Sequence, residues 1–373
     1  MASTIEQLST DKFWSRFAEK AAQERVPFDA MIELTYGCNL RCVHCYNPTH
    51  KATGEQATEE IYRIIDQLAE QGTFSLAFTG GEIFTRRDCF EVFAYAKAKG
   101  FSIALLTNAT LITPEKADRI EALKPTSVEI SIYGATRQTY ERVTRVPGSF
   151  KRFLRGVRLL RERNVLHLIK MPVMTLNQHE VQRAKDLVEG WGIRFVYSTE
   201  IHPRVDGSLE PLEYRLAARD VVRVNEQLVG YQRWSADGGR EQGNECGAER
   251  GMFTCKCGKS SLAVTPHGEL NLCVGLPIPK YDLKVGDIAS GWKTLVDLVA
   301  SARPSEAYEC PGCTLEPYCS QGPMDAWLAT GDLNPCLPYY RELAALEMRA
   351  CEQASSKPGP GGVGGRQDEP SGG

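Results

Sequence analysis

The stretch Cys38-Asn39-Leu40-Arg41-Cys42-Val43-His44-Cys45 places three cysteines on one short segment of this 373-residue chain. A structural zinc site uses four ligands and commonly opens with a C-x2–4-C pair, so a zinc loop accounts poorly for the C-x3-C-x2-C spacing. Three thiolates can instead hold three irons of a cubane iron–sulfur cluster and leave the fourth iron open to a small molecule. We therefore expect Cys38, Cys42 and Cys45 to bind such a cluster.

The composition of the whole chain excludes several classes of protein. The net charge of −3 offers no electrostatic basis for a nucleic-acid partner. No run approaches the roughly 18 apolar residues of a membrane span, and residues 1–7 lack the basic and apolar regions of a signal peptide. The chain has 13 cysteines, which in a reducing compartment are typical of metal ligands. We therefore expect a cytoplasmic protein of about two domains, with neither a nucleic-acid nor a membrane partner.

Short β-rich runs alternate with amphipathic helical stretches through the first part of the chain. The predicted strands cover residues 30–35, 74–79, 101–107, 127–132, 167–174 and 194–201. The predicted helices cover residues 59–71, 88–99, 114–123, 149–163, 178–190 and 213–229. Six strand–helix repeats predict an α/β fold with parallel strands and right-handed crossovers, a partial (β/α)6 TIM-like barrel.

Polar and glycine-rich segments follow the predicted strands, at the face where a barrel of this kind carries its chemistry. They are the cysteine loop, Gly80-Gly81-Glu82, Thr107-Asn108, Ser131, Asn177 and His202-Pro203-Arg204. Each has a local alternative, because a glycine pair also marks an ordinary turn and Asn108 and Ser131 also suit strand-end caps. In a functional interpretation, the glycines let backbone approach a ligand and Glu82 meets its ammonium group.

Three separate segments give the chain a family resemblance over roughly residues 30–340. With His44 just before the third cysteine, the loop resembles the signature of radical S-adenosylmethionine (SAM) enzymes. Gly80-Gly81-Glu82 resembles the motif that meets the SAM amine, and residues 131–150 resemble the corresponding family segment. The resemblance implies that the open iron chelates the amino and carboxylate groups of SAM. It also implies that one electron cleaves the sulfonium to a 5′-deoxyadenosyl radical.

The resemblance also implies a set of SAM contacts. Asn108 and Ser131 would contact the ribose hydroxyls and the methionine part, and Arg142 or Arg145 would meet the carboxylate. The sequence does not choose between the two arginines. The predicted SAM-binding residues are thus Gly80, Gly81, Glu82, Thr107, Asn108, Ser131, Arg142, Arg145 and Asn177.

The later part of the chain carries a second set of cysteines: Cys246, Cys255, Cys257, Cys273, Cys310, Cys313, Cys319 and Cys336. Their order resembles the SPASM extension of radical SAM enzymes, which holds one or two auxiliary iron–sulfur clusters. A zinc ribbon built on Cys310 and Cys313 is the alternative. Residues 262–272 predict a hairpin that turns at His267-Gly268, so His267 is interpreted as a turn residue and not as a ligand.

The chain departs from the SPASM pattern at Pro323, where the family usually has a further cysteine. By resemblance, that residue would reach the first auxiliary cluster. The second cluster would then be complete, with Cys310, Cys313, Cys319 and Cys336 as its ligands. The first would keep Cys255, Cys257 and Cys273, with either Cys246 as its fourth ligand or one iron left open. We favour Cys246, since an exposed open iron invites cluster loss.

These patterns predict four regions and a function. The regions are an N-terminal helical segment (1–29), the barrel (30–230), a cysteine-rich auxiliary-cluster domain (231–353) and a disordered tail (354–373). By resemblance, the substrate would be a ribosomally made peptide that receives a crosslink or a thioether. Enzymes of tetrapyrrole or quinone-cofactor assembly and of sulfatase maturation are the runner-up class. A non-enzymatic electron carrier or zinc-binding protein is a further alternative.

Two kinds of partner follow from the same resemblance. An electron donor such as flavodoxin or ferredoxin would supply the reducing electron. No segment resembles a small winged-helix peptide-docking domain, since only about 29 residues precede the predicted barrel. A leader peptide would then bind the enzyme directly or through a separate docking protein. Cys89 and Cys351 are interpreted as packed or spare thiols.

Overall fold

A computed structural model describes residues 10–229, 252–253, 255–303, 305 and 308–356. The chain divides into two compact units. The first comprises residues 1–216, 247–311 and 321–336, and the second comprises residues 217–246, 312–320 and 337–373. Cys246 and nearly all of the predicted tail lie outside the described residues. The four regions predicted from the sequence stay a prediction.

The first unit contains a sheet whose strands, among the described residues, follow the order β6-β5-β4-β3-β2-β1-β7-β8-β9. The strands are β1 (Asp29–Thr35), β2 (Ser75–Gly80), β3 (Ser102–Thr107), β4 (Ser127–Ser131), β5 (Leu168–Pro172), β6 (Arg194–Ser198), β7 (Ser261–Val264), β8 (Glu269–Asn271) and β9 (Tyr281–Asp282). Strands β1 to β6 pair in parallel with their neighbours in chain order. The predicted α/β fold with six parallel strands is confirmed.

The predicted hairpin is also confirmed, since β7 and β8 are antiparallel. The turn between them includes Gly268, whose φ of +84° suits glycine. Strand β7 pairs in parallel with β1, so the hairpin continues the barrel sheet beside the strand that leads into the cysteine loop.

The helices are α1 (Thr10–Gln23), α2 (Thr58–Glu70), α3 (Cys89–Ala98), α4 (Pro114–Leu123), α5 (Arg137–Thr144), α6 (Ser149–Glu162), α7 (Val181–Glu189), α8 (Ala218–Leu228), α9 (Ile288–Ser301), α10 (Pro323–Thr330) and α11 (Pro338–Ser356). Residues at the N-termini of these helices help to explain where the helices begin. Thr113 accepts a hydrogen bond from the backbone of Lys116 and Pro114 opens α4, a typical N-terminal pattern. None of the helices that the structure describes is long and apolar enough to cross a membrane.

The core of the first unit lies between the sheet and its helices. Alternate strand residues such as Phe78 and Leu105 are fully buried, and the Phe78 ring packs against Phe93 of α3 with centroids 5.0 Å apart. Because successive strand residues face opposite sides, the intervening residues of β2 to β5 face the barrel interior. Glu129 of β4 and Lys170 of β5 are among them, and they form an ion pair there.

Two parts of the helix prediction differ from the structure. The sixth predicted helix begins at Ala218 because Glu210–Tyr214 forms a 3-10 turn that ends before it. This helix, α8, belongs to the second unit, where it packs on α11 and Asn225 Nδ2 donates to Glu347 Oε1 over 3.2 Å. Helix α5 was not predicted at all, and it matters for the site described below.

Candidate functional site

The cysteine loop leaves β1 at Thr35 and places its three thiols around one cavity. Cys38, Cys42 and Cys45 all line this reaction cavity, whose volume is about 250 Å³. The backbone of α5 fixes the loop, since the N–H groups of Arg41 and Val43 donate to carbonyls at the end of α5 over 3.0 and 3.1 Å. The fold therefore brings the three predicted cluster ligands together.

The surroundings of these thiols suit a bound cation. Burial raises the pKa of Cys38 to about 12 and also raises the pKa values of Cys42 and Cys45. The amide of Leu40 donates to Cys38 Sγ over 3.4 Å, and the side chain of Asn108 approaches the same sulfur at 3.9 Å. Neutral buried thiols become stable thiolates when metal ions compensate their charge.

The three loop thiols are the metal-binding donor set that the reaction cavity offers. Three cysteines that share one cavity fit an iron–sulfur cluster with three protein ligands. His44 packs against Tyr133 at 5.2 Å, and its buried Nδ1 has no hydrogen-bond partner among the described residues.

Five of the predicted SAM-binding residues line the same reaction cavity: Gly80, Gly81, Thr107, Asn108 and Ser131. The two glycines have a steric cause. A Cβ on Gly81 would stand 2.4 Å from the carbonyl oxygen of Gly37, and one on Gly80 would stand 2.3 Å from that of Thr35. Only glycine lets the end of β2 pack so closely on the start of the cysteine loop.

Glu82 is fully buried and connects two strand ends. Its carboxylate accepts hydrogen bonds from Thr107 Oγ1 and the Asn108 amide, both at 2.7 Å, and from the Phe84 amide at 3.2 Å. Glu82 is not among the residues that line the reaction cavity. The geometry therefore favours a positioning role for this carboxylate, which holds Asn108 in place. Its predicted contact with the SAM ammonium group stays a prediction.

Arg142, Arg145 and Asn177 lie outside the lining of the reaction cavity. Arg142 is exposed on α5, and Arg145 donates to the Tyr214 hydroxyl over 3.1 Å. The buried side chain of Asn177 ties the end of β5 to that of β4, since its Nδ2 donates to the carbonyls of Pro172 and Tyr133 over 2.9 and 3.2 Å. Their contacts with SAM stay predictions.

The structure adds a buried carboxylate that the sequence reasoning missed. Glu33 of β1 is 2% exposed, and it accepts hydrogen bonds from the hydroxyls of Tyr46 at 2.8 Å and Tyr36 at 3.4 Å. Burial raises the pKa of Glu33 to about 7 against the opposing effect of these bonds. The available signal was an acidic residue within the mostly apolar run of residues 30–34.

Three cysteines of the second set also come together. The Cys257 side chain makes hydrogen bonds with both Cys255 and Cys273, and the bond from Cys257 lowers the pKa of Cys255. The predicted fourth ligand, Cys246, lies outside the described residues. Pro323 opens α10 and has no donor atom in its side chain. The thiol group Cys255–Cys257–Cys273 therefore fits the predicted first auxiliary cluster.

The remaining cysteines belong to different units. Cys310 and Cys336 lie in the first unit and Cys313 and Cys319 in the second, and each is half-buried. Their shared cluster, like the zinc-ribbon alternative, stays a prediction from the sequence.

Comparison with known proteins agrees with this geometry. Residues 32–188 match the family model of the Radical SAM superfamily. The chain is 27% identical over 328 residues to the AdoMet-dependent heme synthase of Methanosarcina barkeri, covering 82% of this chain and 94% of the relative. It is also 27% identical over 321 residues to the mycofactocin maturase MftC of Mycobacterium tuberculosis, covering 80% and 78% of the two chains.

A solved structure shares the fold. SuiB of Streptococcus suis, bound to its precursor peptide SuiA, superposes with a TM-score of 0.67 at 17% identity, covering 90% of this chain and 82% of that one. Residues 32–188 thus form a domain that matches the Radical SAM superfamily, and the SuiB structure shares the fold of the chain. Enzymes of this superfamily use a 4Fe–4S cluster and SAM, which confirms the predicted class of cofactor.

Proposed function

We propose that this radical SAM enzyme modifies a ribosomally made peptide by hydrogen abstraction, forming a crosslink or a thioether. The observation that carries the proposal is the reaction cavity, which the three loop thiols share with the ends of β2, β3 and β4. When bound, the cluster and SAM supply an electron and a 5′-deoxyadenosyl radical. The protein supplies the ligands, the orientation of SAM and a cavity sheltered from water.

Each wall of the reaction cavity has a role in this proposal. Cys38, Cys42 and Cys45 would hold three irons and leave the fourth iron open. Gly80 and Gly81 line the cavity with backbone alone. A small polar group in the cavity can therefore approach their backbone without a side chain in between. Asn108 and Ser131 offer polar side chains on neighbouring strand ends, and Glu82 fixes Asn108 by accepting its amide N–H.

The peptide substrate is supported by two comparisons, since MftC is named a maturase and SuiB was solved with its precursor peptide. A tetrapyrrole substrate is the second candidate. The heme synthase of M. barkeri favours it, because that relative matches this chain over 94% of its own length. In either case, we propose Cys255, Cys257 and Cys273 as ligands of an auxiliary cluster. A flavodoxin or ferredoxin electron donor completes the proposal, and a leader peptide would bind the enzyme directly or through a separate docking protein.

The chemistry is tested by purifying the chain without oxygen and assaying 5′-deoxyadenosine formation from SAM with dithionite. We expect the triple variant C38A/C42A/C45A to lose this activity together with one cluster. The matched control is Cys89→Ala, which removes a buried thiol of α3 that is outside the cavity lining and should retain the activity. Unchanged deoxyadenosine formation in the triple variant would contradict the assignment.

The substrate class needs a second assay. We expect a short peptide encoded beside the gene to lose hydrogen, seen as a mass decrease, and to raise deoxyadenosine formation. Conversion of an added iron porphyrin with no change in the peptide would instead support the tetrapyrrole candidate.

A further inference from the structure

A short segment of the chain is strongly basic, although the chain as a whole is slightly acidic. Residues 137–163, which span α5 and α6, contain nine arginines and lysines against two glutamates. The whole chain contains 44 basic and 47 acidic residues. Positive charge is therefore concentrated on these two consecutive helices.

The exposed face of α6 carries three of these cations. Lys151, Arg155 and Arg158 are exposed, and their spacings of four and three residues place them on one side of the helix. Arg158 forms an ion pair with Glu162, whereas Lys151 and Arg155 form none with a described residue. Like charges at these spacings destabilise a helix, so this row of cations does not serve the helix itself. It suits an external partner of opposite charge.

The start of α6 lies beside the cysteine loop. The carbonyl of Thr144, at the end of α5, accepts the amide N–H of Arg41 in the loop over 3.0 Å. The hydroxyl of the same Thr144 lies 2.8 Å from the hydroxyl of Ser149, the first residue of α6. One residue at the end of α5 therefore contacts both the cysteine loop and the first turn of α6.

The cysteine loop also presents a cation to solvent. Arg41 is exposed and is not among the residues that line the reaction cavity. Its guanidinium donates to the carbonyls of Cys38 and Leu40 over 2.6 and 2.7 Å, and it forms no ion pair with a described carboxylate. Together with Lys151 and Arg155, it gives this side of the loop a positive charge. We call Arg41, Lys151 and Arg155 the basic surface.

We propose that the basic surface docks an acidic one-electron carrier protein, such as a flavodoxin or a ferredoxin, that reduces the cluster bound by the cysteine loop. The inference rests on the proposed function, which consumes one electron for each SAM cleaved, and it adds a partner site to that function. The carrier is oxidised by one electron and the cluster is reduced by one electron. No bond is formed or broken in this step, and no proton moves.

Position and charge favour an electron carrier over another acidic partner. Electron transfer slows steeply with distance, and the basic surface includes a residue of the loop that carries the three thiols. None of its three residues lines the reaction cavity, so a docked carrier leaves that cavity free for SAM and substrate. A leader peptide must instead deliver its core to the cavity. Electron-transfer complexes have small interfaces, so a few exposed cations can steer an acidic carrier into place.

The test compares a protein reductant with a small reductant that needs no docking site. The variant K151E/R155E reverses two charges of the basic surface. The matched control K97E/K284E reverses two exposed lysines, one on α3 and one after β9, and changes the net charge equally. Deoxyadenosine formation is measured without oxygen, first with excess dithionite. It is then measured with sub-saturating flavodoxin that is kept reduced by flavodoxin reductase and NADPH.

We expect equal rates with excess dithionite in the parent and both variants, which also shows that the variants fold and load their clusters. With flavodoxin at about 50 mM salt, K151E/R155E should react about ten-fold more slowly than the parent, and K97E/K284E should react like the parent. Raising the salt to about 500 mM should slow the flavodoxin reaction of the parent, because salt screens exposed charges.

Three results would overturn this inference. They are equal flavodoxin-driven rates in K151E/R155E and the parent, an equal loss in K97E/K284E, and a flavodoxin-driven rate of the parent that does not respond to salt. If K151E/R155E also loses its dithionite-driven activity, the salt response of the parent decides. Weaker binding of a fluorescein-labelled oligoglutamate by K151E/R155E, with an unchanged flavodoxin-driven rate, would assign the basic surface to an acidic leader peptide instead.

The parent chain separates these failures from failure of the chemistry. If the parent forms no deoxyadenosine with dithionite, the proposed function fails. If it forms deoxyadenosine with dithionite but its reaction with flavodoxin ignores Lys151 and Arg155, only the docking site fails.

Discussion

The carboxylate of Glu82 accepts a hydrogen bond from Asn108, which lines the reaction cavity, although Glu82 itself does not line it. Two of its three hydrogen bonds join the loop after β2 to the end of β3. The motif singled out this residue, but its side-chain direction depends on donors that lie 25 and 26 residues further along the chain. No local pattern around residue 82 contains that information.

Replacing Glu82 by Gln puts an amide donor against the N–H of Asn108 or the hydroxyl of Thr107. We expect a loss of about 2–3 kcal/mol of stability, because hydrogen bonds to a charged group are broken. We also expect SAM affinity to fall about ten-fold, since Asn108 is displaced. Thermal unfolding reports the first effect, and SAM titration of the cluster's EPR signal reports the second.

The matched control is Glu180→Gln. Glu180 is another buried carboxylate, and it accepts hydrogen bonds from the Ala135 amide and the Thr139 hydroxyl over 2.7 and 2.8 Å. It is not among the residues lining the reaction cavity. It should lose similar stability and keep its SAM affinity. An equal drop in SAM affinity in both variants would show that Glu82 acts only through stability.

Glu33 gives a prediction for the dependence of stability on pH. Burial raises its pKa from the ordinary glutamate value of 4.5 to about 7 in the folded chain. A carboxyl with a raised pKa destabilises the fold as pH increases, because the unfolded state ionises first. The loss of unfolding free energy begins near pH 4.5 and is complete above about pH 7, where it approaches about 3 kcal/mol as an upper bound.

Glu33→Gln removes this cost. We therefore expect the melting temperature of this variant, relative to the parent, to rise progressively from about pH 5 to about pH 8. Glu121→Gln, at an exposed position of α4, should show no such trend. A difference between Glu33→Gln and the parent that is constant across this pH range would contradict the buried-carboxyl account.

At the scale of elements, the sequence predicts the strands well and the connections less well. The alternation of buried and partly exposed residues in β2 and β3 follows from period-two patterning, which is visible in the sequence. Helix α5 was missed because Arg137–Thr144 is mostly polar and short. Its N-cap, Thr136, is a clear local signal, yet its buried face, Tyr140 and Val143, is defined only by tertiary packing. That packing is what places carbonyl acceptors under the cysteine loop.

The contact between the end of β2 and the cysteine loop gives an element-scale prediction. A Cβ on Gly81 would meet the Gly37 carbonyl oxygen at 2.4 Å, so Gly81→Ala must push the loop away from β2. Overpacking of this kind costs about 1–3 kcal/mol. We expect reconstituted iron to fall and deoxyadenosine formation to be lost.

The control for Gly81→Ala is Gly322→Ala. Gly322 has an extended backbone, and the nearest atom to an added Cβ is Asp325 Oδ2 at 3.8 Å. This variant should keep its iron and its activity. Full iron loading of Gly81→Ala would show that the loop tolerates the shift and that the glycine serves another purpose.

At the scale of the whole molecule, the later cysteines bear on how many auxiliary clusters the chain can hold. The order of cysteines in the sequence predicts one or two auxiliary clusters, and the structure brings together Cys255, Cys257 and Cys273 of the first. Their meeting was not visible from spacing alone, because Cys273 reaches the other two through the strands β7 and β8. The fourth ligand of that site is not Pro323, which carries no ligand atom where the family usually has a cysteine.

We expect Cys246 to supply the fourth thiolate. A cubane with four protein ligands is shielded, whereas an open iron next to solvent is readily lost. The measurement is iron content and Mössbauer spectroscopy of Cys246→Ala, made in the C38A/C42A/C45A background so that only auxiliary clusters contribute. Loss of one cluster, or its conversion to a three-iron form, supports ligation by Cys246. Cys89→Ala in the same background should leave the spectrum unchanged. If Cys246→Ala also leaves it unchanged, Cys246 is not a ligand, and the first auxiliary cluster keeps an open iron that a substrate thiolate can occupy.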